Sequence, residues 1–139
     1  MQDKGSTNED GDPHRFNLAD VVHIKDNHIA IYGDLERFIK LIKEGTGFMR
    51  KVEVEVSTYE DAIRAYRAGA DVILFDNMRP SDIVSIVEEL RSRVILKASG
   101  GIILDNVIEC ARTGVDVLSS GYITHSACSF DLTMDAERL

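Results

Sequence analysis

The sequence predicts an α/β protein built from parallel βα units, and two observations carry this prediction. First, short β-branched runs end abruptly in charged residues or glycines, and runs of this length suit buried strands rather than helices. Second, the predicted strands begin at intervals of roughly 20 to 30 residues, about one βα unit. Parallel α/β proteins bind ligands where their strands end, so a site is expected at the carboxyl edge of the sheet. The strands are predicted to begin near Val21, Val52, Val72, Val94 and Val117.

The first two predicted helices each carry start and stop signals. Asp34 is expected to cap a helix over LERFIKLIKE that ends at Gly45, since a side-chain oxygen starts a helix and glycine ends one. Ser57 and Glu60 form a predicted capping box for the next helix, which Gly69 closes. The strands KVEVEV and DVILF follow these two helices, as a βα repeat requires.

The second half of the chain repeats the pattern. Pro80 and Ser81 are expected to open a helix before the strand VILKAS, because proline suits the first helical position. Asp105 is expected to cap another helix, closed by Gly114, and FDLTMDAERL predicts a short terminal helix. Five such strands fit either a barrel segment or an open parallel sheet, and periodicity alone does not choose between them.

Length and composition restrict the function. The 139 residues suffice for one domain but fall short of the roughly 250 of a complete (β/α)8 barrel. Residues 1–12 are expected to be a flexible leader and residues 13–139 a single domain, a partial α/β barrel. The formal net charge of −8 argues against a nucleic-acid partner or an anionic membrane surface.

No apolar run approaches a membrane span and no export signal is evident, so a cytoplasmic protein is expected. Cys110 and Cys128 stand in no metal-binding or redox spacing, and Cys110 is expected to act as a small hydrophobe on a helix.

The strand Lys51 to Val56 predicts a polar interior. Alternation places three valines on one face and Lys51, Glu53 and Glu55 on the other. If the valines meet the helices, the glutamates face the inside of the sheet and need cations, ligand hydroxyls or Mg2+. An edge strand with a solvated face explains the same alternation, but Lys25 and Lys97 near other strand ends favour the interior.

Two glycine segments predict a phosphate site. Ser99-Gly100-Gly101 and Ser120-Gly121 follow consecutive strands, and glycine allows free backbone N–H groups to approach an anion closely. His125 lies near enough to the second segment to add a donor. One such segment alone is usually only a turn, but two in consecutive units favour anion binding.

Six segments stand in the order and spacing of one known family: DPHRFNLADVVHIKDNHI, VEVEV, AGADVILFDNM, ASGGI, TGVDVLSSGYITHS and FDLTMD. On these segments the chain resembles quinolinate phosphoribosyltransferase, also called carboxylating nicotinate-nucleotide pyrophosphorylase, from about Asp12 to its C-terminus. The resemblance implies a partial (β/α) barrel from a dimeric, homo-oligomeric enzyme. That enzyme would join quinolinate to 5-phosphoribosyl-1-diphosphate with Mg2+, giving nicotinate mononucleotide, CO2 and diphosphate during NAD biosynthesis.

The resemblance also implies roles for individual residues. His14, Arg15 and Lys25 would contact the quinolinate carboxylates or the diphosphate, and Lys25 would also assist decarboxylation. Glu55 and Asp76 would hold the ribose hydroxyls and Mg2+ and act as catalytic carboxylates. The 5-phosphate would be bound by Ser99, Gly100, Gly101, Ser120, Gly121, Tyr122 and His125.

The sequence departs from the family in two respects. The family's N-terminal domain and an Arg-Lys motif ahead of this region are missing, so only part of the site is expected in this chain. Lys97 stands where the family often has glutamate. Two alternatives therefore stay open: a non-catalytic, truncated or engineered barrel fragment that keeps the fold and phosphate binding, and a ModD-like relative linked to molybdenum transport with another substrate.

Overall fold

The computed structural model describes residues 21–125, which form alternating strands and helices. His14 and Arg15, the leader, Cys128 and the predicted terminal helix lie outside this range. The strands are β1 (Val21–Ile24), β2 (Lys51–Val56), β3 (Val72–Asp76), β4 (Ile95–Ser99) and β5 (Val117–Leu118). The helices are α1 (Asp26–Tyr32), α2 (Leu35–Gly45), α3 (Tyr59–Arg67), α4 (Pro80–Leu90), α5 (Val107–Arg112) and α6 (Tyr122–His125).

All five strands pair in parallel in the order β1-β2-β3-β4-β5, which confirms the predicted α/β class and all five strand positions. β2 lies between β1 and β3, so the edge-strand interpretation of KVEVEV is wrong. Strands that neighbour each other in chain order, with helices between them, form a singly wound sheet like the wall of a barrel.

The hydrophobic core lies between one face of the sheet and the helices. Val54, Ile73 and Phe75 are fully buried there with Ile39 and Ile86 from α2 and α4. Strand side chains alternate, so the intervening residues occupy the opposite face, which we call the inner face. Its members from β1 to β4 are Val21, His23, Lys51, Glu53, Glu55, Val72, Leu74, Asp76, Ile95, Lys97 and Ser99.

Two predicted helix caps are wrong by one residue each. α3 is capped by Thr58, whose hydroxyl accepts the Asp61 N–H at 3.1 Å, and not by Ser57 with Glu60. α5 follows Asn106 rather than Asp105, because a turn held by the Asn106 side chain precedes it. The Asp34 cap, by contrast, is confirmed.

α1 was not predicted, because its sequence DNHIAIY has no buried residue and no apolar stripe to reveal it. Cys110 is buried on α5 as predicted and is not disulfide-bonded. No helix within residues 21–125 is long and apolar enough to cross a bilayer.

Candidate active site

Charged side chains collect where β1, β2 and β3 end. Lys25 follows β1 directly, Glu55 is the penultimate residue of β2, and Asp76 ends β3. Because parallel strands end at the same edge, the buried runs before these residues deliver all three to one place. The structure thus brings together the three residues to which the family resemblance assigns catalytic roles.

Glu55 shows the electrostatic character of this edge. Burial raises the pKa of the Glu55 carboxyl above its ordinary value, the nearby Asp76 raises it further, and Lys25 lowers it. The Glu55 side chain is 17% exposed, and its Oε2 lies 3.5 Å from Nε2 of His23. A half-buried carboxylate beside a second one is a site that a cation or a hydroxyl-rich ligand would stabilise.

A second charged layer lies below Glu55, towards the amino ends of the strands. Glu53 is 7% exposed, and its Oε2 accepts a hydrogen bond from the Lys97 ammonium at 3.2 Å. Nε2 of His23 lies 3.7 Å from Glu53 Oε1. The predicted need of the inner glutamates for cations is therefore met at Glu53 by the Lys97 ammonium from β4.

The first glycine segment packs against Asn77, which follows Asp76. Gly100 has φ +84° and Gly101 has φ +61°, a left-handed conformation that favours glycine. A Cβ atom at Gly100 would lie 2.8 Å from the Asn77 backbone nitrogen. The Asn77 N–H also donates to the Ser99 carbonyl at 3.0 Å. This close approach fixes the segment beside the carboxylates.

The second glycine segment is hydrogen-bonded to Ile102, the residue that follows the first segment. The Ser120 hydroxyl donates to the Ile102 carbonyl at 2.6 Å and accepts the Tyr122 N–H at 3.2 Å. The Asn106 amide donates to the Gly101 carbonyl at 2.8 Å. The two segments predicted to share a phosphate therefore lie side by side, with Gly121 between Ser120 and the start of α6.

The remaining predicted residues are placed less completely. Tyr122 begins α6 and is 38% exposed. His125 ends α6, and its side chain lies outside the described part of the structure. His14 and Arg15 also lie outside it, so their expected contacts with the substrate stay predictions.

Sequence reasoning missed three residues that shape this edge. Asn77 has φ +51°, and the Asp-Asn pair after a strand was an available signal, since asparagine tolerates this conformation. Asn106, three residues after Ile103, carried the signal of a side chain that closes a turn on its own backbone. His23 faces the glutamates, and counting alternate residues back along β1 would have placed it there.

Within residues 21–125, no group of three or more His, Cys, Asp or Glu side chains is arranged to hold a metal ion. Glu55 and Asp76 nevertheless are hard oxygen donors, and Asp76 lies close enough to Glu55 to raise its pKa. Mg2+ is commonly held by one or two carboxylates together with substrate phosphates. The carboxylates present therefore fit an Mg2+ ion that arrives with a phosphorylated ligand.

A singly wound parallel sheet with carboxylates and two glycine segments at its carboxyl edge defines an α/β protein whose candidate site lies where the strands end. Residues 2–135 match the family model described as the C-terminal domain of quinolinate phosphoribosyl transferase. The chain therefore belongs to the quinolinate phosphoribosyltransferase family, as the sequence motifs indicated.

Individual relatives agree with this assignment. The chain is 48% identical over 134 residues to the probable carboxylating nicotinate-nucleotide pyrophosphorylase of Methanothermobacter thermautotrophicus, covering 93% of this chain and 48% of the relative. It is 36% identical over 124 residues to the human carboxylating nicotinate-nucleotide pyrophosphorylase, covering 87% of this chain and 42% of the human protein. The solved nicotinate-nucleotide pyrophosphorylase of Francisella tularensis superposes with a TM-score of 0.77 at 36% identity, covering 82% and 40% of the two chains. The chain thus spans about half the length of the relatives it matches.

Proposed function

We propose that this chain carries part of the active site for phosphoribosyl transfer from 5-phosphoribosyl-1-diphosphate to quinolinate, with decarboxylation to nicotinate mononucleotide. The observation that supports this most directly is the meeting of Glu55, Asp76 and Lys25 beside the Gly100–Gly101 segment. Family membership supports the choice of reaction. The carboxyl edge of the sheet offers carboxylates that suit a sugar and backbone N–H donors that suit a phosphate.

In this proposal the described residues act mainly through electrostatics. Glu55 and Asp76 face the ribose hydroxyls and stabilise positive charge that develops on the sugar as the diphosphate leaves. The glycine segments hold the 5-phosphate through backbone N–H groups, which fixes the sugar relative to the incoming ring nitrogen. Lys25 supplies a positive charge for the carboxylates of quinolinate and for the decarboxylation step.

Mg2+ is proposed as the cofactor, held by Glu55 and Asp76 together with oxygens of the diphosphate. Bound there, it would neutralise charge on the leaving diphosphate. His14 and Arg15 would complete the contacts with the anionic substrates, and the relatives' remaining half would contribute the rest of the site.

The test is calorimetric titration of 5-phosphoribosyl-1-diphosphate with Mg2+ into the folded chain. Glu55→Gln with Asp76→Asn should weaken Mg2+-dependent binding by roughly tenfold or more, because hydrogen bonds to charged groups contribute about 1.5–3 kcal/mol. The matched control is Glu44→Gln with Glu88→Gln, which removes the same charge from exposed helix positions and should leave binding unchanged.

Two outcomes would favour the alternatives. A folded wild-type chain that binds no phosphoribosyl diphosphate would support a non-catalytic barrel fragment. Binding of the sugar diphosphate that quinolinate does not affect would favour a ModD-like relative with another substrate. Equal loss in the test and control variants would show that net charge, and not the two carboxylates, governs binding.

We also propose that the chain works in the cytoplasm as a homo-oligomer. Large apolar side chains are exposed in the segments between the strands: Phe48 is 97% exposed, Ile31 is 87% exposed and Leu104 is 73% exposed. A contact between copies that covers these side chains would favour association, because burial of apolar surface is favourable. Light scattering coupled to size exclusion tests the proposal, and a monomer at micromolar concentration would contradict it.

A further inference from the structure

The inner face contains an ion pair that the predicted roles leave unused. Lys97 on β4 contacts Glu53 on β2, and both side chains are nearly buried, at 12% and 9% exposure. The charge pair crosses the intervening strand β3 above Val72 and Leu74, which are themselves buried. The ammonium of Lys97 and the carboxylate of Glu53 are therefore paired on the inner face of the sheet, with little exposure to solvent.

Lys97 pairs with Glu53 although a second glutamate, Glu55, lies level with it in the sheet. In the strand register, Glu55 pairs with Leu74, and Leu74 pairs with Lys97. Glu55 is thus the glutamate level with Lys97, roughly 10 Å away across two strand spacings. The Lys97 ammonium instead reaches Glu53, one alternation lower, at 3.2 and 3.5 Å from its two carboxylate oxygens.

Burial gives a physical reason for this choice. Glu53 is the more buried of the two glutamates, with its side chain 9% exposed against 17% for Glu55. An uncompensated charge is more costly the more deeply it is buried, so the ammonium gains most by pairing with Glu53. His23 lies between both carboxylates, at 3.7 Å from Glu53 and 3.5 Å from Glu55.

We propose that Lys97 is a positioning residue: its pairing with Glu53 keeps the ammonium away from Glu55 and leaves Glu55 directed to the ligand. This inference rests on the proposed function, because it assigns Glu55 to the sugar and Mg2+. It predicts that Lys97, once separated from Glu53, moves to Glu55 and competes with the ligand.

The first experiment needs no ligand. In 15N- and 13C-labelled wild-type protein, NMR detects coupling from the Lys97 ammonium nitrogen to the carboxyl carbon of its hydrogen-bond partner. The coupling is expected to Glu53 in the wild type and to Glu55 in Glu53→Gln. Coupling to Glu55 in the wild type, or no movement to Glu55 in Glu53→Gln, would overturn the proposal.

The second experiment measures binding of 5-phosphoribosyl-1-diphosphate with Mg2+. Glu53→Gln should weaken it by roughly tenfold or more, because a charged hydrogen bond now occupies Glu55. Glu53→Gln combined with Lys97→Met should restore binding to within about threefold of wild type, since it removes the competing ammonium. A merely structural pair would also recover in the double variant, so the movement of the NMR coupling to Glu55 distinguishes the two roles, and failure of the double variant to bind refutes the inference.

The two experiments separate the possible failures. If the wild type does not bind the sugar diphosphate, the proposed function fails, while the NMR coupling still tests the partner of Lys97. If Glu53→Gln does not fold, the folded double variant still tests the inference: binding near the wild-type level is the result that the inference requires, and lost binding contradicts it.

Discussion

Gly100→Ala offers the sharpest test of how the glycine segment is built. Gly100 has φ +84°, and an added Cβ would lie 2.5 Å from the Asn77 side-chain oxygen and 2.8 Å from the Asn77 backbone nitrogen. That nitrogen donates to Ser99, so it cannot retreat without loss of a backbone hydrogen bond. Gly69 is the matched control, because it has φ +94° and nothing within 4 Å of an added Cβ.

The magnitude follows from these two differences. Both variants place alanine in the left-handed region, which costs about 1–2 kcal/mol. Gly100→Ala adds a steric overlap with backbone, and overpacking costs about 1–3 kcal/mol more. We therefore expect Gly100→Ala to lower the free energy of unfolding by about 2–5 kcal/mol, against about 1–2 kcal/mol for Gly69→Ala.

Urea titration followed by circular dichroism measures the loss in free energy of unfolding for each variant. Calorimetric titration of 5-phosphoribosyl-1-diphosphate measures the effect on binding. Folded Gly100→Ala should bind 5-phosphoribosyl-1-diphosphate more weakly, while Gly69→Ala at the far end of α3 should bind it as the wild type does. Equal destabilisation by the two substitutions would refute the close approach to Asn77. Unchanged binding by Gly100→Ala would refute a phosphate role for the segment.

Two further predictions concern charges. Glu55→Gln should stabilise the fold at neutral pH, because burial and Asp76 raise the pKa of Glu55, so its charged form is disfavoured in the native state. In the wild type, the destabilisation by charged Glu55 is complete above its raised pKa and absent below the ordinary value of 4.5. Urea titrations should therefore show that the added stability of Glu55→Gln fades as the pH falls. Added stability that persists at pH 3 contradicts this. Asp71→Ala should lower the free energy of unfolding by about 2–4 kcal/mol. This is the sum of the charged hydrogen bond from the Val52 N–H of β2 and the partly exposed ion pair with Lys43. Asp116→Ala lacks the ion pair and should cost about 1.5–3 kcal/mol; a larger loss for Asp116 in the same titrations contradicts the comparison.

The sequence predicted the strands well because they are short apolar or alternating β-branched runs, and the central three bury their helix-facing side chains in the core. Val72–Asp76 shows this most clearly, since its first four residues are all buried and its last begins the site. The sequence also shows a similar turn before β3 and β5, in Gly69-Ala70-Asp71-Val72 and Gly114-Val115-Asp116-Val117. In the structure Asp71 and Asp116 each accept a backbone N–H from the preceding strand, at 2.7 and 2.8 Å.

What the sequence did not predict depends on contacts between distant residues. The pairing of Lys97 with Glu53 and not Glu55 is decided by relative burial across three strands, and no local pattern contains that information. The position of His23 between two glutamates depends on the register of β1 with β2. The cap of α3 shifted by one residue for a simpler reason: Ser57 and Thr58 are adjacent and both are good caps.

Strand β2 carries core residues on one face and candidate site residues on the other. Its valines at 52, 54 and 56 are buried against the helices, while Glu53 and Glu55 on the other face carry charge into a half-buried environment. The valine layer therefore stabilises the domain, and the glutamates reduce its stability unless cations or a ligand compensate them. Glu53 already has its cation in Lys97, whereas Glu55 keeps a raised pKa beside Asp76. A carboxylate with a raised pKa next to one that is paired with an ammonium, on a strand held by the core, is the arrangement expected where binding of a cationic or hydroxyl-rich ligand adds stabilisation.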